Sequence, residues 1–319
     1  MDCLLPARLI QKLAFLEETS KNQFMAYLSL LQARHYAQTT LEAIVVAVRS
    51  LILSLPDHRQ TALADNLTQT TSSDIDGFIA AASSRELAAV TINGYLSALK
   101  ELFDFLREDG QMQTQPVLRR RHRLPTPTTL PKPIADADLV AFFKVIDSVR
   151  DRLLFLLMLR CGLRVSEACS LTWNDVDLEA ASLRINNGKG QVDRVVYIAP
   201  DVEQALQLWQ ARSTPSPYLF PSRRRRSAPL GRGVVHWQMK KYLRLAGIQA
   251  NYSAHCLRHT FATQLLNAGV SLEVLKELMG HRSIQMTLRY TKLYEATKRQ
   301  QYDEAMTRIE SRQRQRGGE

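Results

Sequence analysis

Apolar residues recur at helical spacing through most of the first 110 positions. Phe24 to Leu31 (FMAYLSLL) and Thr40 to Leu55 (TLEAIVVAVRSLILSL) each offer one apolar face, with Thr39 or Thr40 placed to cap the second. A third helix is predicted over DIDGFIAAA, capped by Ser72 or Ser73, and a fourth runs from Thr91 through TINGYLSALKELFDFLRE. In that fourth segment Ile92, Tyr95, Leu96, Leu99, Leu102, Phe103 and Leu106 form a broad stripe, and Gly110 ends it. Beyond about residue 134 the pattern changes. DRLLFLLMLRC (151–161) is apolar all round, which marks a buried helix stopped by Gly162. Residues 184–186 and 194–198 read as two strands around the glycine-rich turn NGKGQVD. Helices are then predicted over 201–212, 234–246, 253–268, 271–279 and 283–291. Ser253, Ser271 and Ser283 stand at starts, and Gly247, Gly269 and Gly280 at ends. The fold class is therefore mainly α with a small β-sheet (α+β).

Between the two patterns lies PVLRRRHRLPTPTTLPKP, with five prolines and five basic residues, among them Arg119, Arg120, Arg121 and Arg123. Proline removes backbone donors and fixes φ, so this stretch reads as a linker. The expected organisation is a helical domain over 1–115, a basic linker over 116–133 and a second domain over 134–319. Lys plus Arg outnumber Asp plus Glu by 42 to 31, for a net charge of +11, which favours an anionic partner such as nucleic acid. The linker arginines are candidate DNA contacts. Arg223, Arg224, Arg225 and Arg226, in a proline-flanked loop, are equally readable as phosphate contacts or as a solvated run. Cys3, Cys161, Cys169 and Cys256 form no Cys-x-x-Cys pair, and the N-terminus is too interrupted by Pro6, Arg8 and Lys12 for a secretory leader. The expectation is a cytoplasmic, nucleoid-associated protein with reduced thiols and no membrane span.

The segment S253-A-H-C-L-R-H-T260 puts His255, Arg258 and His259 near one helical face. A metal reading is weak, because Arg258 between the two histidines would repel a cation and no acidic residue lies nearby in sequence. A phosphate reading fits better. His255 falls in a first helical turn, where free N–H groups favour an anion, and Arg258 one turn on offers a planar fork. His259 reads as a supporting histidine. Arg164, just past the buried helix, either pairs with Glu167 or points its charge into a site. Lys189 sits at the tip of the turn, His281 precedes a short helix, and Tyr290 ends it.

Taken in order, Gly-Leu-Arg, Gly-Lys-Gly, His-x-Leu-Arg-His, Leu-x-Gly-His and a tyrosine nine residues after His281 resemble the tyrosine recombinase (phage-integrase) family, closest to its compact Xer-type members. The helical first part resembles the family's SAM-like core-binding domain, and the second part its catalytic domain. The resemblance implies a site-specific DNA recombinase. Tyr290 would attack the scissile phosphate to form a 3′-phosphotyrosyl bond and release a 5′-hydroxyl. Arg164 and Arg258 would stabilise the pentavalent transition state, Lys189 would protonate the leaving oxygen, and His255 would act as acid/base or phosphate ligand. His281 would donate to the phosphate, and Glu167 would orient Arg164 or a histidine.

Because the covalent intermediate conserves the energy of the phosphodiester bond it replaces, the family needs no cofactor and no metal. The implied partners are a double-stranded DNA recombination site and further copies in a homo-tetramer, with a second recombinase or accessory protein left open. The apolar stripe Tyr302, Ala305, Met306 and Ile309 would dock on a neighbouring subunit by family precedent. Two alternatives remain: an inactive DNA-binding homologue, disfavoured because each chemical position is filled, and a type IB topoisomerase, disfavoured by the compact helical first domain.

Overall fold

The structure, a computed structural model, describes residues 10–126, 132–186, 193–281 and 283–288, together with 302, 303, 306 and 307. Contacts divide the chain into a unit over Met1–Thr128 and another over Thr129–Glu319. In the first unit the helices are α1 (Glu18–Ala33), α2 (Gln38–Ile52), α3 (Asp57–Asp65), α4 (Ser72–Ser84), α5 (Ala89–Glu108) and the single turn α6 (Arg119–His122). The periodic apolar faces meet as expected. Ile92, Leu96, Leu99, Leu102, Phe103 and Leu106 of α5 are buried against α2, whose own buried face includes Leu41, Ile44, Val48 and Leu51. Each such side chain contributes roughly 1.5–3 kcal/mol when taken out of water.

Two caps differ from the sequence reading. Helix α2 begins at Gln38 after Ala37, with no side-chain cap, and α4 is capped by Thr71 rather than by a serine. Thr71 and Asp74 form a reciprocal capping box, and the Asp74 carboxylate also receives the Arg59 fork (Nε 2.8 Å).

The stretch expected as linker behaves differently over its first half. The division between units falls after Thr128, and residues 116–126 pack on the first unit. Val117 and His122 are buried there, and Arg119–His122 forms a helical turn between the prolines. The Asn93 side chain clamps Leu124 at both backbone groups, donating to its carbonyl at 2.8 Å and accepting its N–H at 3.0 Å. Arg119, Arg120 and Arg123 are exposed. Arg121 is also exposed but is engaged with Asp76 through Nε at 3.2 Å and through Nη2.

In the second unit α7 (Asp136–Lys144) leads to α8 (Val149–Arg160), buried on nearly every side from Leu153 to Leu159 and packed against α10 (Pro200–Gln210) and α12 (Ala254–Asn267). Between α9 (Val165–Ser170) and α10 lies an antiparallel sheet, β1 (Val176–Asp177), β2 (Ser182–Ile185) and β3 (Arg194–Tyr197). Strand β1, two residues long, had no periodic signal. Leu183 faces Val196 and Ile185 faces Arg194 across the β2–β3 ladder, so these four side chains share the buried face. Helices α11 (Arg232–Leu245), α13 (Leu272–Met279) and α14 (Ile284–Leu288) complete the described elements. Phe142, Phe155 and Tyr242 meet edge to face, and the Tyr242 hydroxyl donates to Asp151 at 2.9 Å. Cys161, Cys169 and Cys256 are buried free thiols, and Cys3 lies outside the described residues. Among the described residues no helix is long and apolar enough to cross a membrane.

Asn93→Ala is expected to lower the stability of the first unit by roughly 1–3 kcal/mol, the value of two hydrogen bonds. Limited proteolysis should then cut faster within 118–126 while cuts in the second unit stay unchanged. Equal cleavage rates in both proteins would remove the clamp's importance.

Candidate active site

Three helix ends and one strand bring the charged residues together. Gly162, just beyond α8, has φ +64, and a Cβ there would meet the Phe261 ring at 2.4 Å, so only glycine allows this turn beside α12. Arg164 follows as the residue preceding α9, and its N–H donates to Glu167 Oε2 at 2.7 Å. At the far end of α13, Gly280 adopts φ +60. Its N–H bonds the Glu277 carbonyl at 2.9 Å, and the His281 N–H reaches back to Lys276 at 3.0 Å. That paired closure is a Schellman turn, and it fixes His281 directly beyond the helix.

The Glu167 carboxylate lies at the centre, with its side chain 5% exposed. Arg164 Nη1 donates to Oε1 at 2.5 Å. Arg194, equally buried, straddles both oxygens at 3.1 and 2.8 Å, and Arg258 Nη1 stands 3.8 Å from Oε2. One carboxylate thus serves three guanidinium groups. Other N–H groups of the same arginines reach carbonyls at helix ends. Arg164 Nη2 reaches Gly280 at 3.3 Å, Arg194 Nε reaches Leu278 at 2.8 Å, and Arg258 donates to Gly162 and Met279. These carbonyls belong to the negative ends of α8 and α13, which accept cations well. The cluster still carries two positive charges more than its carboxylate neutralises, and an anion is what such a pocket attracts.

Burial works to raise the Glu167 carboxyl, but the hydrogen bonds and charge of Arg194, then those of Arg164, outweigh it and hold the group at about 2. His255, exposed in the first turn of α12, shifts the other way. Partial desolvation first, then the charges of Arg258 and Arg164, press it below its ordinary 6.5, so the ring is neutral at neutral pH. The buried His281 meets Thr287 Oγ1 through Nδ1 at 2.9 Å, which fixes the orientation of its ring. His259 is half-buried on the same helix. Arg223, Arg224, Arg225 and Arg226 are all exposed in their loop. Lys189 and Tyr290 lie outside the described residues, as do Ala305 and Ile309 of the terminal stripe, whereas Tyr302 is 63% exposed.

The structure therefore brings Arg164, Glu167, Arg258 and the Gly280–His281 turn into one constellation and adds Arg194 and Thr287, which the sequence reading did not single out. A signal for Arg194 was present. It is in phase with Val196 on a half-buried strand, and its out-facing neighbours Val195 and Tyr197 are apolar yet 52% and 69% exposed. An arginine on the inward register of such a strand requires a buried partner. Among the described residues no group of three or more metal-capable side chains gathers.

The phage integrase family pattern matches residues 135–297, and the pattern of that family's N-terminal SAM-like domain matches residues 21–110. The chain belongs to the phage integrase family. Within this family it is 35% identical over 229 residues to tyrosine recombinase XerA of Pyrococcus furiosus, across 70% of this chain and 77% of that protein. It is 34% identical over 215 residues to tyrosine recombinase XerD of Pseudomonas putida, across 63% and 70%. A lambda integrase fragment solved as a dimer on a core site superposes with TM-score 0.67 at 19% identity, covering 83% of this chain and 96% of that one. The Tn1549 transposon integrase superposes with TM-score 0.66 at 22% identity, covering 86% and 95%. Those two likenesses show the fold, a SAM-like helical domain followed by the integrase catalytic domain. The enzyme is accordingly a tyrosine-type site-specific recombinase of Xer-like build.

The depressed Glu167 carboxyl gives a signed expectation. Its stabilising contribution is complete above the unfolded value of 4.5 and is lost as pH falls through about 2. Across that window urea unfolding of the wild type should lose roughly 3 kcal/mol that Glu167→Gln does not lose. At pH 7 that variant should itself be about 3–5 kcal/mol less stable, since it leaves buried guanidinium groups uncompensated. In the free protein the His255 ring resonances should titrate below 6.5; a midpoint above it would contradict the site's excess positive charge.

Proposed function

We propose that this recombinase binds a specific duplex DNA site and cuts it through Tyr290, forming a 3′-phosphotyrosyl link that a second strand's 5′-hydroxyl reverses. The observation that supports this most is the excess positive charge around Glu167, presented by arginines already held by helix-end carbonyls. A scissile phosphate gains charge on its nonbridging oxygens as the fifth bond forms, and pre-positioned donors there are typically worth roughly 10²–10³ in rate each. Arg164 and Arg258 are the guanidinium groups assigned to those oxygens, with His281 as a third donor. Neutral His255 has a lone pair for the tyrosine proton, which is otherwise held with a pKa of about 10. The arriving phosphate raises the affinity of His255 for that proton by offsetting Arg258 and Arg164. Lys189 gives the proton that the departing 5′-oxygen takes up. No step in this sequence needs a metal or a cofactor.

Four such sites act in pairs on two duplexes, so the working assembly is a tetramer on DNA, with the segment around Tyr302 to Ile309 exchanged between copies. The protein then resides with the nucleoid. XerA, XerD and the two integrases support this reading as relatives of the same family, and the DNA in the lambda and Tn1549 complexes is the kind of ligand it assigns.

The target is obtained by selection from randomised duplexes, then nicked beside the cleavage position so that the covalent product is trapped. Wild type should give a protein–DNA adduct on a denaturing gel, in EDTA as well as without it, and Tyr290→Phe should give none. An adduct that survives in Tyr290→Phe and vanishes in Tyr294→Phe would reassign the nucleophile. Relaxation of supercoiled DNA lacking the selected site would favour a topoisomerase instead. Affinity for the site should fall by about 0.9 log units per log unit of salt for each phosphate contacted.

A further inference from the structure

We propose that Arg194 is a positioning residue of this site, fixing the Glu167 carboxylate and the end of α13 together and thereby setting where Arg164 and His281 present their donors to a phosphate. The inference rests on the phosphate-binding reading of Arg164 and His281 given above. It does not rest on the identity of the nucleophile.

Arg194 is not placed to touch a phosphate itself. Its side chain is 5% exposed, and its three nitrogens are engaged with Glu167 Oε1, Glu167 Oε2 and the Leu278 carbonyl. Those partners belong to two different elements, α9 and the last turn of α13, while Arg194 itself starts β3. Each carboxylate oxygen is shared: Oε1 takes Arg164 Nη1 and Arg194 Nη1, and Oε2 takes the Arg164 N–H and Arg194 Nη2. The carboxylate orientation that holds Arg164 is thus the one that Arg194 defines from the other side. Arg164 then bridges to the Gly280 carbonyl, closing a loop of contacts through α9, β3 and α13.

The α13 corner is shaped to this guanidinium. A Cβ on Gly280 would lie 2.9 Å from Arg194 Nη1 and 3.1 Å from its Cδ. A lysine at 194 keeps the charge but cannot donate in parallel to both carboxylate oxygens and reach Leu278 as well. A glutamine removes the charge and leaves buried Glu167 opposed by fewer cations, so its carboxyl takes up a proton at higher pH.

Three variants separate this role from a merely structural one: Arg194→Lys, Arg194→Gln, and Arg194→Gln combined with Glu167→Gln. Two readouts are used on protein shown to be folded by circular dichroism. The first is binding of orthovanadate, followed through the His255 and His281 ring resonances. The second is adduct formation on the nicked selected duplex from pH 5 to 9. Arg194→Lys should weaken vanadate binding and slow adduct formation at least ten-fold, with duplex affinity within three-fold of wild type and an unchanged pH profile. Arg194→Gln should lose as much and move the acid limb, which His255 sets in the wild type, to higher pH. The double variant should return that limb to its wild-type position, because no carboxyl remains at 167 to titrate. Wild-type vanadate binding and cleavage per folded molecule in Arg194→Lys would overturn the proposal, and so would an acid limb that stays displaced to higher pH in the double variant. Should Arg194→Gln not fold, the lysine variant alone decides. Absence of the wild-type adduct with the expected vanadate series would count against Tyr290 and leave Arg194 supported.

Discussion

The catalytic unit depends on a charge imbalance that removal from water ordinarily opposes. Three arginines, two of them almost wholly buried, share one carboxylate, and each also donates to a backbone carbonyl at the end of α8 or α13. Removing charge from water costs several kcal/mol per ion, and the mutual attraction of a buried ion cluster commonly does little more than offset that loss. Such a cluster is therefore a poor way to gain stability. What it supplies is a fixed set of donors around a site with positive charge to spare. The helix ends make this possible, because their carbonyls need partners in any case and hold the guanidinium groups without neutralising them.

The local chain geometry follows from that need. Two glycines in the left-handed region, Gly162 and Gly280, bend the backbone so that carbonyls at positions 162 and 278–280 turn toward the arginines. His281 is carried by the second bend, and Thr287 from α14 fixes its Nδ1. His255 stands apart in being exposed, and partial desolvation first, then the charges of Arg258 and Arg164, lowers its proton affinity.

Much of this was legible in the chain. The all-apolar run from Leu153 to Leu159 could only be a buried helix, and the α5 stripe could only face a helical core. The ordered motifs around Arg164, Arg258 and His281 pointed to residues that the fold gathers around one carboxylate. Three things were hidden, each for a physical reason. Arg194 was disguised because strand alternation is usually read through its apolar members, and here the apolar Val195 and Tyr197 are the exposed ones. The stretch 116–126 looked like a tether because prolines and arginines dominate it, whereas its anchoring comes from Asn93, 31 residues away in sequence. Strand β1, two residues long, is defined only by its partner and leaves no periodicity of its own. Long-range side-chain partners were the information that local pattern lacked.

The fit between Gly280 and Arg194 reaches beyond this one molecule. Because any side chain at 280 would intrude on the guanidinium at 194, the two positions are not free to drift separately. Among relatives, a larger residue at the corner should appear only where the strand residue has shortened. A lineage that abandons the pair one position at a time would pass through a chain with a collided or an uncompensated site. The two positions should therefore leave the signature of a single coupled character, inherited or lost together.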